Sequence, residues 1–375
     1  MTLRNIFSVS EYEELKKSAM PVRYPHVSME SLKNHGLVLF GLGRHGRALL
    51  DILPQADLTP EWLVDNNFAL HGTRIAGLEV RGVESLSQAG RRYVLLAGQF
   101  APDMAADCRK FNADNWILPA ALADFLYTTG ELGISLAELD ALPEVEECYN
   151  LLADEESRLV FKDFIRFQTC FDQRLFRHYD AHIYFPEGLK DRIDYSCFVD
   201  AGAFNGDTLK LWLNHVPAGV YHGFEPQQPF FKELEAFASG LPRKSGIQLH
   251  LYNKALGSRA ASSPLFLSGI LATLSLGLNP KSSIGPIVPV MRMDDLTPFP
   301  PTVIKADVEG YEMEVLKGAG GCVSEKTSFI FSLYHRKRDF FTIPLYIKSI
   351  QPRTRIYIRQ HGKVYEDTVC YAIAN

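Results

Sequence analysis

Twice in this chain a short apolar run ends in a glycine loop that leads directly into a helical pattern: LVLFGLGRHGRALLDIL at 37–53 and CFVDAGAFNGDTLKLWL at 197–213. A strand that passes through glycines into a helix is the opening unit of a parallel sheet, because parallel strands need a crossover that is usually helical. Other short apolar runs surround each loop. LVLF (37–40), EWLVD (61–65), YVLLA (93–97) and NWILP (115–119) accompany the first. CFVDA (197–201), VYHGFE (220–225), IQLHLYNKAL (247–256), TVIKADVE (302–309) and SFIFSLYH (328–335) accompany the second, with RIYIRQ and TVCYAIA near the end. Runs this apolar suit strands covered on both faces. Between the two sets, VEECYNLLADEESRLVFKDFIRFQTCFDQRLF spaces apolar residues by three and four without Gly or Pro, a helical pattern that stops at YFPEGL.

The fold class expected is therefore α/β with two Rossmann-like domains. A helical extension covers 1–35, a small nucleotide-binding-like domain 36–130, a helical linker or lid 131–194, and a second α/β domain 195–375. A length of 375 residues agrees with two domains. The net charge of −5 offers no bulk attraction to nucleic acid or anionic lipid, although Arg336, Lys337 and Arg338 make a local basic cluster. Cys108, Cys148, Cys170, Cys197, Cys322 and Cys370 are scattered without metal-ligand spacing and read as reduced, buried thiols. The first residues carry acids and lack an apolar core, and no run approaches 18 apolar residues, so neither a secretory signal nor a membrane span is expected. A cytoplasmic enzyme or binding protein is the expectation.

The two loops differ chemically. In the first, Gly41, Gly43 and Gly46 form GxGxxG, and the next strand ends in Asp65, 19 residues after Gly46. That order suits a phosphate at a helix N-terminus and a ribose on the acid. It equally suits a glycine turn that only packs helix against strand. No Tyr-xxx-Lys follows to serve hydride transfer. In the second loop, Asp200 and Asp207 flank Gly202, Asn205 and Gly206. Two acids repel a pyrophosphate and favour a cationic or neutral ligand that backbone must approach closely.

FVDAGAFNGDT (198–208), FEP (224–226), NKALG (253–257), RMDDL (292–296), IKADVEGYEMEVLKGA (304–319) and SLYHRKRDFFTIP (332–344) stand in one order, and the fifth is long enough to make chance agreement improbable. Through them residues 195–375 resemble the FkbM family of S-adenosylmethionine-dependent methyltransferases. More loosely, VDNNFALHGTRIAGLEV makes residues 36–120 similar to the Rossmann-like domains found ahead of sugar acyltransferases and related sugar-modifying enzymes.

The first resemblance implies a class I methyltransferase domain with S-adenosylmethionine as cofactor. The second implies a nucleotide or nucleotide-sugar at Gly41, Gly43, Gly46 and Asp65. Asp200, with Gly202, Asn205, Gly206 and Asp207, would hold the methionine ammonium, although Asp200 also suits a helix cap. Glu225 would accept the ribose hydroxyls or else sit on a surface turn. Asn253 would bound the adenine pocket or simply shape a turn. Asp307 and Glu309 would face the transferred methyl, or else Asp307 would cap the following helix and Glu309 serve as a first-turn acid. His335 would be the general base for an acceptor hydroxyl or a structural histidine, with Tyr334 in the core. Asp294 and Asp295 read as a cap on a short helix. No metal is required, since a sulfonium leaving group needs no Lewis acid, although Asp307 and His335 could form part of a metal site.

The implied function is O-methyl transfer to a hydroxyl of a sugar, glycan or related small metabolite, with no nucleic-acid partner. The alternative is a noncatalytic nucleotide- or nucleotide-sugar-sensing protein with a degenerate methyltransferase domain.

Overall fold

The computed structural model describes residues 2–20, 27–97, 100–118, 134–170, 173–176, 179–242, 245–268, 271–273, 283–296, 300–336, 338–362 and 367–375. The chain divides into two compact units, one of Met1–Leu142 with Asp163–Leu175, the other of Pro143–Lys162 with Phe176–Gly277 and Ser283–Asn375.

The first unit begins with helices α1 (Val9–Ser18) and α2 (Met29–His35), each started by a serine capping box, at Ser8 and at Ser28. Then come β1 (Leu37–Phe40), α3 (Arg44–Ile52), β2 (Trp62–Val64), β3 (Arg74–Ile75), β4 (Leu78–Arg81), β5 (Tyr93–Leu96), α4 (Ala101–Lys110), β6 (Trp116–Ile117) and α5 (Leu136–Ala141). The sheet order is β3-β4-β2-β1-β5-β6, parallel from β4 to β6. The four strands read from the apolar runs all form. The antiparallel hairpin of β3 and β4 was not among them; it turns at Ala76 and Gly77, both at positive φ.

The second unit holds α6 (Pro143–Leu151) and the start of α7 (Glu155–Cys170), then β7 (Cys197–Ala201), α8 (Asp207–His215), β8 (Gly219–Phe224), α9 (Gln228–Ser239) and β9 (Ile247–Tyr252). After these come β10 (Ala255–Leu256), β11 (Ala261–Ser268), β12 (Leu271–Thr273), β13 (Ser283–Met291), β14 (Val303–Ala306), α10 (Glu312–Lys317), β15 (Ser328–Ser332), α11 (Asp339–Ile350), β16 (Arg355–Gln360) and β17 (Thr368–Ile373). Its main sheet runs β16-β17-β15-β14-β7-β8-β9, parallel from β15 to β9. The central strands β7, β14 and β15 are almost wholly buried, as their apolar runs require. The chain moves outward from β7 through β8 to β9, then returns to add β14 on the other side of β7. That reversal is a topological switch point, where the loops leaving adjacent strands part and open a crevice.

The stretch 131–194 is not one separate linker: α6 belongs to the second unit, and α7 passes between the units at Lys162–Asp163. Within the second unit Phe161 packs on Phe340, ring centroids 5.1 Å apart. A second sheet, β10-β13-β11-β12, comes from a stretch not read as strand except at β10, which falls at the end of the run IQLHLYNKAL. Asp294 and Asp295 lie inside a 3-10 turn, Met293–Asp295, and do not cap it; Asp294 instead accepts the amides of Gly321 and Cys322 at 2.8 and 3.0 Å. Of the basic cluster, Lys337 lies outside the described residues. Among the described residues, no helix is long and apolar enough to cross a membrane.

Candidate active site at the switch point

The loops leaving β7 and β14 meet at Gly202 and Asp307. Gly202 has φ +83, and a Cβ there would lie 1.9 Å from the carbonyl oxygen of Asp307, so only glycine lets the two backbones approach. Beside this contact opens a cleft of about 240 Å³. Its polar wall includes Asp207, Glu225, Lys305, Asp307 and Glu309. Its apolar wall includes Phe204, Phe224, Leu256 and Leu265.

Glu225 follows directly on β8 and is 4% exposed. Its Oε2 accepts the amide of Phe204 at 3.0 Å and its Oε1 that of Gln227 at 2.7 Å. Burial pushes its pKa up to about 7, against the pull of those two amides. Behind it Asn253 donates from Nδ2 to the carbonyls of Glu225 and Pro226 at 2.8 and 3.2 Å. Asn253 is thus a clip on the Glu225 loop and not a wall of the cleft, which corrects its expected place.

Asp200 also departs from expectation. It is fully buried and does not line the cleft. Lys305 pairs with it at 2.8 Å, and the hydroxyl of Tyr221 donates to its other oxygen. Lys305 is itself 1% exposed; it also donates to the Gly202 carbonyl at 2.9 Å and stands 4.8 Å above the Tyr184 ring. Burial alone would lower the lysine pKa, but Asp200 raises it, so the ammonium stays charged. The cation, not the expected acid, is presented to the cleft. Gly206 starts α8 at φ +95, and its Cβ would press on Phe237 and Leu234 at 3.1 and 3.2 Å, so its role is packing. Asn205 is exposed and not on the cleft wall, whereas Asp207 is on it.

Asp307 accepts the Tyr184 hydroxyl on Oδ2 at 2.8 Å, and the Tyr334 hydroxyl on Oδ1 and Oδ2 at 3.1 and 3.2 Å. Burial raises its pKa, but His335 and Lys305, with the two phenols, lower it below the ordinary value. Tyr334 is therefore no plain core residue: β15 ends at Ser332, and strand alternation does not reach it.

His335 is 8% exposed and follows the strand instead of closing it. Its Nδ1 bonds Glu312 Oε1 at 2.7 Å, and its Nε2 stands 3.5 Å from both Asp307 Oδ1 and Glu309 Oε2. Burial lowers its pKa, but Glu312, then Glu309 and Asp307, raise it to about 10. A ring whose proton is favoured by surrounding carboxylates is a poor general base, which weighs against the role expected of it. Glu309 has φ +55, a rare backbone state for a side chain of its size. Glu312 Oε1 also accepts the Val308 amide at 2.9 Å and so folds this loop around the histidine.

Three residues of this site were not read from the sequence. Lys305 was detectable: a lysine inside the wholly buried strand VIKA must have a buried partner. Tyr184 stands in YFPEGL, which reads only as a helix break. Glu312 looks like an ordinary first-turn acid.

The N-terminal loop brings Gly41, Gly43, Gly46 and Asp65 together at the ends of β1 and β2. Gly41 has φ +99, and a Cβ on Gly46 would lie 1.9 Å from the Gly41 carbonyl oxygen. Asp65 accepts the Leu42 amide at 2.7 Å and the Asn67 amide at 2.8 Å. The acid thus ties one loop amide to itself. Asp65→Ala is expected to destabilise the first unit by about 1–2 kcal/mol, because it strands the part-buried Leu42 amide while the exposed Asn67 amide turns to water; a change within about 0.5 kcal/mol in urea unfolding would refute that.

No curated protein matches the chain. A methyltransferase FkbM from Methylobacillus flagellatus KT has a similar crystal structure at 20% identity and TM-score 0.69, with 99% of each chain covered, so the fold is shared along the whole length. Aeropyrum pernix fibrillarin in complex with natively bound S-adenosyl-L-methionine overlaps 48% of this chain and 67% of its own at 14% identity, but its TM-score of 0.30 carries no argument. The family described as methyltransferase FkbM domain matches residues 200–365, the span in which the switch-point loops, Glu225, Asp307 and His335 all fall. That match gives no support to a noncatalytic sensor. Residues 200–365 of this chain thus match the methyltransferase FkbM domain.

Proposed function

We propose that the protein is an S-adenosylmethionine-dependent O-methyltransferase acting on a hydroxyl of a sugar, glycan or related small metabolite. The observation that carries this reading is the charge of the cleft: among the described residues, Asp207, Glu225, Asp307 and Glu309 face a single lining cation, Lys305. Such a wall suits a cationic ligand without phosphate. The donor set fits the cofactor part by part. Glu225 would accept the ribose hydroxyls, Phe204 and Phe224 would flank the base, and Lys305 would meet the methionyl carboxylate. The cofactor, when bound, supplies an electrophilic methyl on its sulfonium.

Asp307 would accept the hydrogen bond of the acceptor hydroxyl. Its two phenol donors fix its direction, and an oxygen gaining a methyl becomes so acidic that an ordinary carboxylate can take its proton. His335, held by Glu312, would be a positioning residue behind Asp307. The sugar preference rests on the family resemblance. Six free cysteines suit a reducing, cytoplasmic setting.

Incubating the full chain with methyl-labelled S-adenosylmethionine and a panel of nucleotide sugars and glycans should place base-stable label, as expected of an ether, on one class. Label on amines would defeat O-transfer, and base-labile label on carboxylates would defeat transfer to a hydroxyl. Cofactor binding should also depend on pH. A carboxylate must be ionised to accept two hydroxyls, and Glu225 titrates near 7. Affinity for S-adenosylhomocysteine should therefore fall as pH drops from 8 to 5.5, by up to about tenfold per unit below 7. Glu225→Gln should flatten that profile.

A further inference from the structure

We infer that Asp307, Glu309 and His335, with Glu312 behind them, form a binding site for a divalent metal cation. Asp307, Glu312 and His335 each offer one ligand atom, all within 4.8 Å of one another. Because a carboxylate only accepts, the 2.7 Å contact with Glu312 Oε1 places a proton on His335 Nδ1 and turns Nε2 toward Asp307 and Glu309. A carboxylate that fixes the tautomer of a ligating imidazole is the usual outer shell of a metal-bound histidine.

The spacing argues in the same direction. A charge-assisted hydrogen bond from an imidazolium closes to about 2.7–2.9 Å. Nε2 instead stands 3.5 Å from both Asp307 Oδ1 and Glu309 Oε2. Two ligands bound at about 2.1 Å around one metal lie about 3.0–3.4 Å apart, close to that separation. Independently, Glu312 is fully buried and its Oε2 has no hydrogen-bond partner, so one oxygen of this buried carboxylate is left unsatisfied. The hydroxyls of Tyr184 and Tyr334 already orient Asp307. One imidazole with carboxylates suits a first-row divalent ion such as Mn²⁺ more than Ca²⁺.

This inference does not rest on methyl transfer, since binding is measured without cofactor or acceptor. Mn²⁺ titrated into the full chain and followed by electron paramagnetic resonance should show one saturable site, with nitrogen coupling from the imidazole. Glu309→Gln and His335→Gln should each weaken it tenfold or more, and the nitrogen coupling should vanish in the second. If His335→Gln fails to fold, Glu309→Gln decides, because its side chain is 26% exposed and its loss should leave the core intact. No saturable site, no nitrogen coupling in the wild type, or unchanged affinity in Glu309→Gln would overturn the inference.

Discussion

Lys305→Met is expected to destabilise the second unit by about 3–5 kcal/mol, because it leaves the fully buried Asp200 carboxyl, whose pKa burial already raises, without its partner. The methionine fills similar volume, so the loss reports charge more than packing. Tyr221 still donates to Asp200, but a phenol cannot neutralise a carboxylate. The double variant Lys305→Met with Asp200→Asn should recover much of the loss, since the residual group is then neutral and hydrogen-bonded. Urea unfolding monitored in the second unit reads both. A single-variant loss under about 1 kcal/mol would mean that the pair is not the buried anchor described above.

Gly202→Ala should remove cofactor binding. The substitution places a Cβ 1.9 Å from the Asp307 carbonyl oxygen and holds alanine at φ +83, so the loops leaving β7 and β14 must separate. Affinity for S-adenosylhomocysteine should fall at least about 100-fold, or about 2.7 kcal/mol. Gly43→Ala is the matched control: its φ is −66, and a Cβ there meets nothing within 4 Å. That variant should leave binding unchanged. Equal losses in both would show that the effect is not local to the switch point.

How much of this was legible in the sequence depended on what each residue touches. Strands such as LVLF and CFVDA were readable because burial on both faces leaves an apolar run. The second sheet was hidden because β11 and β13 carry Pro264, Pro286 and Pro289, which ordinarily argue against a ladder. A bulge at Pro264–Phe266 accommodates one of them, and β10 reaches β13 only at Val290 and Met291. Helix α11 runs through Pro344, an equally poor helical signal.

In the site, the acids at strand ends were legible as a group, because a strand end in a parallel sheet opens toward the crevice. Their division of labour was not. Asp200 and Glu225 both follow apolar residues at the ends of β7 and β8, yet one is sealed under Lys305 from the neighbouring strand and the other faces the cleft. His335 read as a base because a lone imidazole near neutrality suggests one. Glu309 and Glu312, whose charges raise its pKa, come from a different loop and helix, and only the fold brings them to it.

The central claim, that the switch-point cleft holds S-adenosylmethionine chemistry with Glu225 as its ribose acceptor, is tested most directly by calorimetric titration of S-adenosylhomocysteine into the full chain and into Glu225→Gln. The account predicts one site per chain in the wild type and a loss of about 1–3 kcal/mol in the variant, the range for charge-assisted hydrogen bonds poorly replaced. No binding by a folded wild type, or equal affinity in the two proteins, would contradict it.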